Sequence, residues 1–192
     1  MNNEKSLMWK TASTHGLIVG LILIGFALLV WIAGVQQSVW LRYINWALVI
    51  GSVYYSMKTW RDQFMNGVIR YGQALRYGVT VMLFASVVFA LYNVIYMNVL
   101  DPESIQRSME ILEQSYYELG WDEDRIELAL ELAGGMQTPV FQAVSTIFGT
   151  TFLGLLVSLL VATFVRREGD PFDYAMKEVQ DNPNEDQHAK TE

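Results

Sequence analysis

The chain has 192 residues, 52% of them hydrophobic and 17% charged, with a formal net charge of −7 and no cysteine. The charged share is below the usual quarter because long runs carry no charge at all, which sets the sequence apart from ordinary soluble domains. The lack of cysteine excludes disulfides, thiolate nucleophiles, zinc thiolate sites and cysteine-linked lipids, and there is no basic stripe of the kind nucleic-acid binding requires.

In chain order, residues 16–35 ("GLIVGLILIGFALLVWIAGV") are twenty uncharged positions. At 1.5 Å per residue they reach about 30 Å, the thickness of a hydrocarbon core. A signal peptide has a shorter apolar stretch and a small-residue cleavage site, and neither fits here. Residues 43–57 ("YINWALVIGSVYYSM") are shorter and more polar, but Trp40 and Trp60 bracket them. Tryptophan favours the headgroup boundary, so this too is read as a span. The third span is expected at 75–96 and the fourth at 140–165, each long enough to cross with some tilt. Just before the third, "RYGQALRYG" offers snorkelling arginines and interfacial tyrosines. There Gly72 can permit close packing, and Gln73 can reach a neighbouring backbone.

Between the third and fourth spans lies a charged, helix-prone segment. Asp101-Pro102-Glu103 reads as a helix start, with a capping oxygen, proline at the first position and an acid near the positive end of the dipole. Ile105, Met109, Leu112, Tyr116 and Leu119 then form one apolar stripe, and Gly120 closes the helix. A second helix starts with Asp122 as cap and stops at Gly134-Gly135. A helical hairpin over 101–135 results, and the whole segment 101–139 carries ten acids and two arginines. Two short helices are marginal alone, so the stripe either docks on the protein's own spans or serves as a contact for a partner or a second copy. "DEDRIELALELA" begins like a calcium loop, but Glu127 stands where glycine is needed and Ala133 where the last ligand belongs, so no metal site is expected.

After Arg166-Arg167, residues 169–192 read as an acidic cytoplasmic tail. Phe172, Ala175, Met176 and Val179 give it a short amphipathic helix, followed by a disordered end. Residues 1–168 form the membrane domain.

Inside the spans no carboxylate or amine occurs, which argues against proton-coupled transport. The hydroxyls and amides there are expected to bond neighbouring helices or their own carbonyls. Gly16 and Gly20, then Gly149, Gly154 and Ser158, mark candidate helix-packing faces. His15 and His188 do not make a site, and there is neither a nucleophile constellation nor a phosphate-cradling glycine loop, so no catalytic residue, cofactor or enzyme activity is expected.

Orientation follows from lysine and arginine. Ten fall at the amino end, in the second loop and in the tail, against three (Arg42, Arg107, Arg125) on the other side. Both termini are therefore expected in the cytoplasm and the hairpin outside, in the periplasm of a bacterial inner membrane. The early apolar span after a lysine-bearing start, "YGQALRYG", "LDPE", the acidic hairpin and the "RR" stop together resemble a bacterial four-span membrane family labelled domain of unknown function 4199. The resemblance covers roughly residues 5 to 168 and implies fold and location rather than an activity. The expected protein is all-α and polytopic, with four transmembrane helices and an extracytoplasmic acidic hairpin between spans 3 and 4. Its expected role is interaction or scaffolding through the hairpin, with a small oligomeric transporter or channel subunit as the alternative. Its expected partners are membrane lipids and either a second copy or another membrane or periplasmic protein.

Overall fold

The computed structural model describes residues 2–35 and 38–167, with side chains from residue 6 onward. The tail expected at 169–192 lies outside the described residues. Six α-helices follow in order: α1 (Asn2–Ile32), α2 (Val39–Phe64), α3 (Tyr71–Ile95), α4 (Glu103–Glu118), α5 (Glu123–Gly135) and α6 (Pro139–Val165). A π-helical turn, Tyr96–Leu100, extends α3. Among the described residues there is no strand, only one antiparallel bridge between Ile69 and Arg167.

Among the described residues three helical stretches are long and apolar enough to cross a membrane: Ser6–Ile32, Tyr71–Leu100 and Pro139–Val165. The second and third of these contain the spans expected at 75–96 and 140–165, and the first covers the span expected at 16–35 except for its last three residues, which lie beyond the helix end at Ile32. The helix holding the second expected span, α2, is less apolar. Its uncharged centre runs only from Tyr43 to Met57, between Arg42 and Lys58.

The long helices gather around α3. Gly16 of α1 faces Val81 and Phe84, Gly20 faces Val88, and Trp31 meets Tyr96 edge-on at 6.5 Å. Contact positions therefore rise together along both helices, so α1 and α3 are parallel. α2 runs the other way, with Met57 at Gly78 and Trp60 stacked on Tyr77 at 4.7 Å. α6 is also antiparallel to α3. Gln142 is joined to Asn98, Thr151 Oγ1 lies 3.0 Å from Ser86 Oγ, and Tyr71 donates to the Leu159 carbonyl at 3.2 Å.

Close approach explains why these helices pair. A Cβ added at Gly16 would lie 2.5 Å from Phe84 Cβ, and one at Gly154 would lie 2.5 Å from Met82 Cβ. At Gly78 it would meet Met57 and, at 2.8 Å, Ser158 Oγ. Small residues in apolar helices allow this contact, and dispersion across it replaces the hydrophobic drive that lipid does not supply. Gly16, Gly20, Gly154 and Ser158 are thus buried in helix contacts. Gly149 and Gly72 are not: both are exposed, and neither would meet an atom within 4 Å. Gly149 precedes Gly154 by five residues, about 140° around the helix, so both cannot face α3. Gln73 is also exposed. Its Oε1 accepts from the Arg70 amide at 3.1 Å, capping α3 rather than reaching a neighbouring element.

The α3 amino end is locked. Tyr77, fully buried, stacks on Trp60, which stacks on Phe64 at 4.9 Å. The Tyr77 hydroxyl lies 2.5 Å from His15 Nδ1, joining α1 to the same cluster. Arg61 donates to the Val165 carbonyl at 3.1 Å, and the Ile69–Arg167 bridge ties the α2–α3 loop to the end of α6.

Valine at position 154 has to displace the near part of Met82, not its flexible tip, so Gly154→Val should cost about 1 to 3 kcal/mol. Gly149→Val should leave stability unchanged. Thermal unfolding of both variants in mild detergent checks this, and equal midpoints would remove the close-packing account.

Candidate functional site

The opposite end of the bundle is built differently. Here α3 runs into the π-turn, Asn98 Nδ2 donates to Gln142 Oε1 at 3.2 Å, and Asp101 collects a small network. Its Oδ2 accepts from Tyr96 Oη at 3.0 Å and from Arg107 Nη2 at 2.5 Å, while its carbonyl accepts from Ser104. Asp101 was expected to cap α4 through its side chain. The carboxylate is drawn chiefly to Arg107, with a lesser contribution from the Ser104 backbone amide, and the Asp101 carbonyl also accepts from that amide. The Glu103–Arg107 pair is present but long, at 3.5 Å. The Arg107 guanidinium holds the Asp101 carboxyl below its ordinary 3.8. The same pairing raises the affinity of Arg107 for its proton.

Beyond the network, α4 and α5 pack on each other. Gly120, at φ 76°, makes the left-handed turn between them, and Asp122 caps α5 by accepting from the Arg125 amide at 3.0 Å. Ile105, Met109, Leu112 and Tyr116 of the expected stripe are half-buried, and Ile126 of α5 is fully buried. Tyr116 stacks on Trp121 at 4.6 Å. Leu119 departs from the stripe, at 70% exposed, because the helix ends there and nothing faces it. The stripe is therefore chiefly the seam of the helix pair. The apolar residues left open are others: Ile111, Leu128 and Leu132 are 64%, 58% and 59% exposed. The pair packs on itself and on the π-turn, with no comparable contact to α1, α2 or α6.

A second feature lies where α1, α2 and α3 diverge. A cleft of about 350 Å³ opens between them, with Arg42, Asn45 and Asn93 among its polar residues and Trp31, Tyr92 and Tyr96 among its aromatic ones. Below it, between the same helices and α6, is an apolar cleft of about 210 Å³. Asn45 and Phe89 line both. Asn45, Tyr92, Asn93 and Tyr96 were expected, with the other polar residues inside the spans, to bond neighbouring helices or their own carbonyls. The available signal was register: Arg42 and Asn45 share a face of α2, and Phe89, Tyr92, Asn93 and Tyr96 share a face of α3. Other hydroxyls of the long helices bond their own carbonyls, one of the two outcomes expected of them. Ser56 donates to the Ser52 carbonyl, Thr80 to that of Arg76 and Thr163 to that of Leu160. No cluster of metal-ligating side chains occurs among the described residues.

The Asp101 pairing yields a pH dependence. Its folded value is lowered, so its contribution is complete above the ordinary 3.8 and is lost as pH falls through the folded value. The protection of the first-turn amides of α4, taken relative to their intrinsic exchange rate at each pH, should therefore fall on acidification below that range, and at neutral pH in Asp101→Asn. Unchanged exchange in Asp101→Asn would mean the network does not hold α4 in place.

The chain matches, over residues 14–167, the family described as "Protein of unknown function (DUF4199)", and it belongs to that family. No curated protein and no solved structure matches it.

Proposed function

We propose that this family member is a four-span protein of the bacterial inner membrane, with both ends cytoplasmic, whose acidic α4–α5 hairpin is a contact surface for another polypeptide. α2 is less apolar than the other three long helices, and it is helix direction that supports a fourth crossing. Because α1 and α3 are parallel and both are long and apolar enough to cross, the chain has to return between them. The 26 residues of α2 measure about 39 Å, enough for that return. Its polar character suits the cleft that it lines and the knot at its end.

One observation carries the contact reading: the helix pair buries its seam internally, stands clear of α1, α2 and α6, and still exposes Ile111, Leu119, Leu128 and Leu132. Isolated exposed leucines need no explanation, but several on one small acidic appendage mark a binding face. The ten acids of 101–139 favour a partner whose apolar anchors are flanked by lysine or arginine. A scaffolding role needs no chemistry beyond this.

A photo-crosslinking amino acid at position 128 in native membranes should capture a second polypeptide, whereas one at position 112, in the seam, should react within the chain. Crosslinks from position 128 to lipid or to the chain itself would remove the contact reading. Orientation is tested separately, and the cysteine-free sequence makes that simple. Tyr117→Cys should react with a membrane-impermeant maleimide from the periplasmic side, and Gln63→Cys only after the membrane is opened. Labelling of both from one side would break the four-span topology.

A further inference from the structure

We infer that the paired clefts between α1, α2 and α3 hold one molecule of an anionic phospholipid, with the phosphate at Arg42 and one acyl chain in the lower cleft. The inference does not depend on the hairpin's role. Arg42 is the sole charged residue lining either cleft, and it makes no ion pair or hydrogen bond among the described residues. Among the described residues Arg61, Arg107 and Arg125 form ion pairs, whereas Arg42, like Arg70, Arg76, Arg166 and Arg167, forms none; of these only Arg42 lines a cleft. Here the protein supplies a cation and no counter-charge. A guanidinium presents a planar fork of donors that matches phosphate oxygens. Asn45 and Asn93 add amide groups around the same mouth.

The polarity then changes with depth in the way an amphiphile requires. Asn45 marks the boundary between the two clefts, and below it Leu23, Val49, Met82 and Leu153 make the lining mostly hydrocarbon. From Tyr96 at the mouth to Met82 at the floor is fourteen residues of α3, about 21 Å along the axis, the depth of an acyl chain rather than of a small polar solute. The lower space is narrow, which suits one chain, and the second chain of the lipid would remain in the bilayer. A single unpaired guanidinium at this mouth favours a headgroup of net negative charge over a zwitterionic one, which brings its own cation to the phosphate.

The test is native mass spectrometry of the full-length protein taken from vesicles of phosphatidylglycerol and phosphatidylcholine in equal parts. The intact protein should retain one phosphatidylglycerol in preference to phosphatidylcholine. Arg42→Gln should reduce that preference about fivefold, the effect of one cation near a membrane surface. Thr150→Phe, which fills the lower cleft from α6, should lower retention of both lipids, and Arg166→Gln, remote from the cleft, should change neither. Equal retention of the two lipids by the intact protein would overturn the inference, as would an unchanged preference in Arg42→Gln. A bound mass of a free fatty acid in place of a phospholipid would overturn the assignment of the ligand. Circular dichroism confirms that each variant is folded before its lipid is counted.

Discussion

Everything in this molecule hangs on how closely α1, α2 and α6 come to α3. Lipid tails are as apolar as the side chains they replace, so no hydrophobic force draws helices together once they are in a bilayer. What remains is dispersion, which falls steeply with distance. Gly16 and Gly20 on α1, Gly78 on α3 and Gly154 on α6 remove the side chains that would hold the backbones apart. Around these contacts sit Val81, Met82, Ala85 and Ala162, nearly or wholly shielded. α3 is thus the axis of the bundle, and the other helices take their directions from it.

Cohesion is unevenly distributed along that axis. At the α3 amino end, aromatic stacking, the His15–Tyr77 contact, the Arg61 bond to the end of α6 and the Ile69–Arg167 bridge all coincide. At the other end α1, α2 and α3 splay enough to leave a polar cleft, and α4 departs through a π-turn held by Asp101. The locked end fixes the geometry, and the open end presents surfaces. Ser158 shows the cost of dense packing: its hydroxyl is buried beside Gly78 and has no hydrogen-bond partner among the described residues, a polar atom accepted where a larger group would not fit.

Much of this was legible in the sequence, for identifiable reasons. Unbroken apolar runs located the long helices of spans one, three and four. Gly120, Asp122 and Pro139 ended or began helices where local backbone chemistry demands it. Less could be read where two elements must meet. The stripe from Ile105 to Tyr116 has the right period, but period cannot say whether the facing surface belongs to α5, to the membrane helices or to another protein. Glycine spacing likewise marked Gly149 and Gly154 alike, though only Gly154 faces α3. For the cleft, register put Arg42 with Asn45 on α2 and Phe89 with Tyr92, Asn93 and Tyr96 on α3, but nothing in the sequence set those two faces against each other. Residues 16–35 underestimated α1, since hydropathy marks where lipid begins and not where hydrogen bonding starts. The helix itself runs back to Asn2.

The π-turn at Tyr96–Leu100 has a geometric consequence of its own. A π-turn holds more residues than an α-turn spanning the same height, so it advances the chain without keeping the angular phase of the helix before it. One end of the α4–α5 pair is held by this turn and its Asp101 contacts, and the other by residues 136–138, which lead into α6. The bearing of α4 as it leaves the bundle therefore follows from a residue count. Losing one residue from the turn would rotate the start of α4 by about 100°, the angle of a single helical step, and α5 would have to rejoin α6 along a new path.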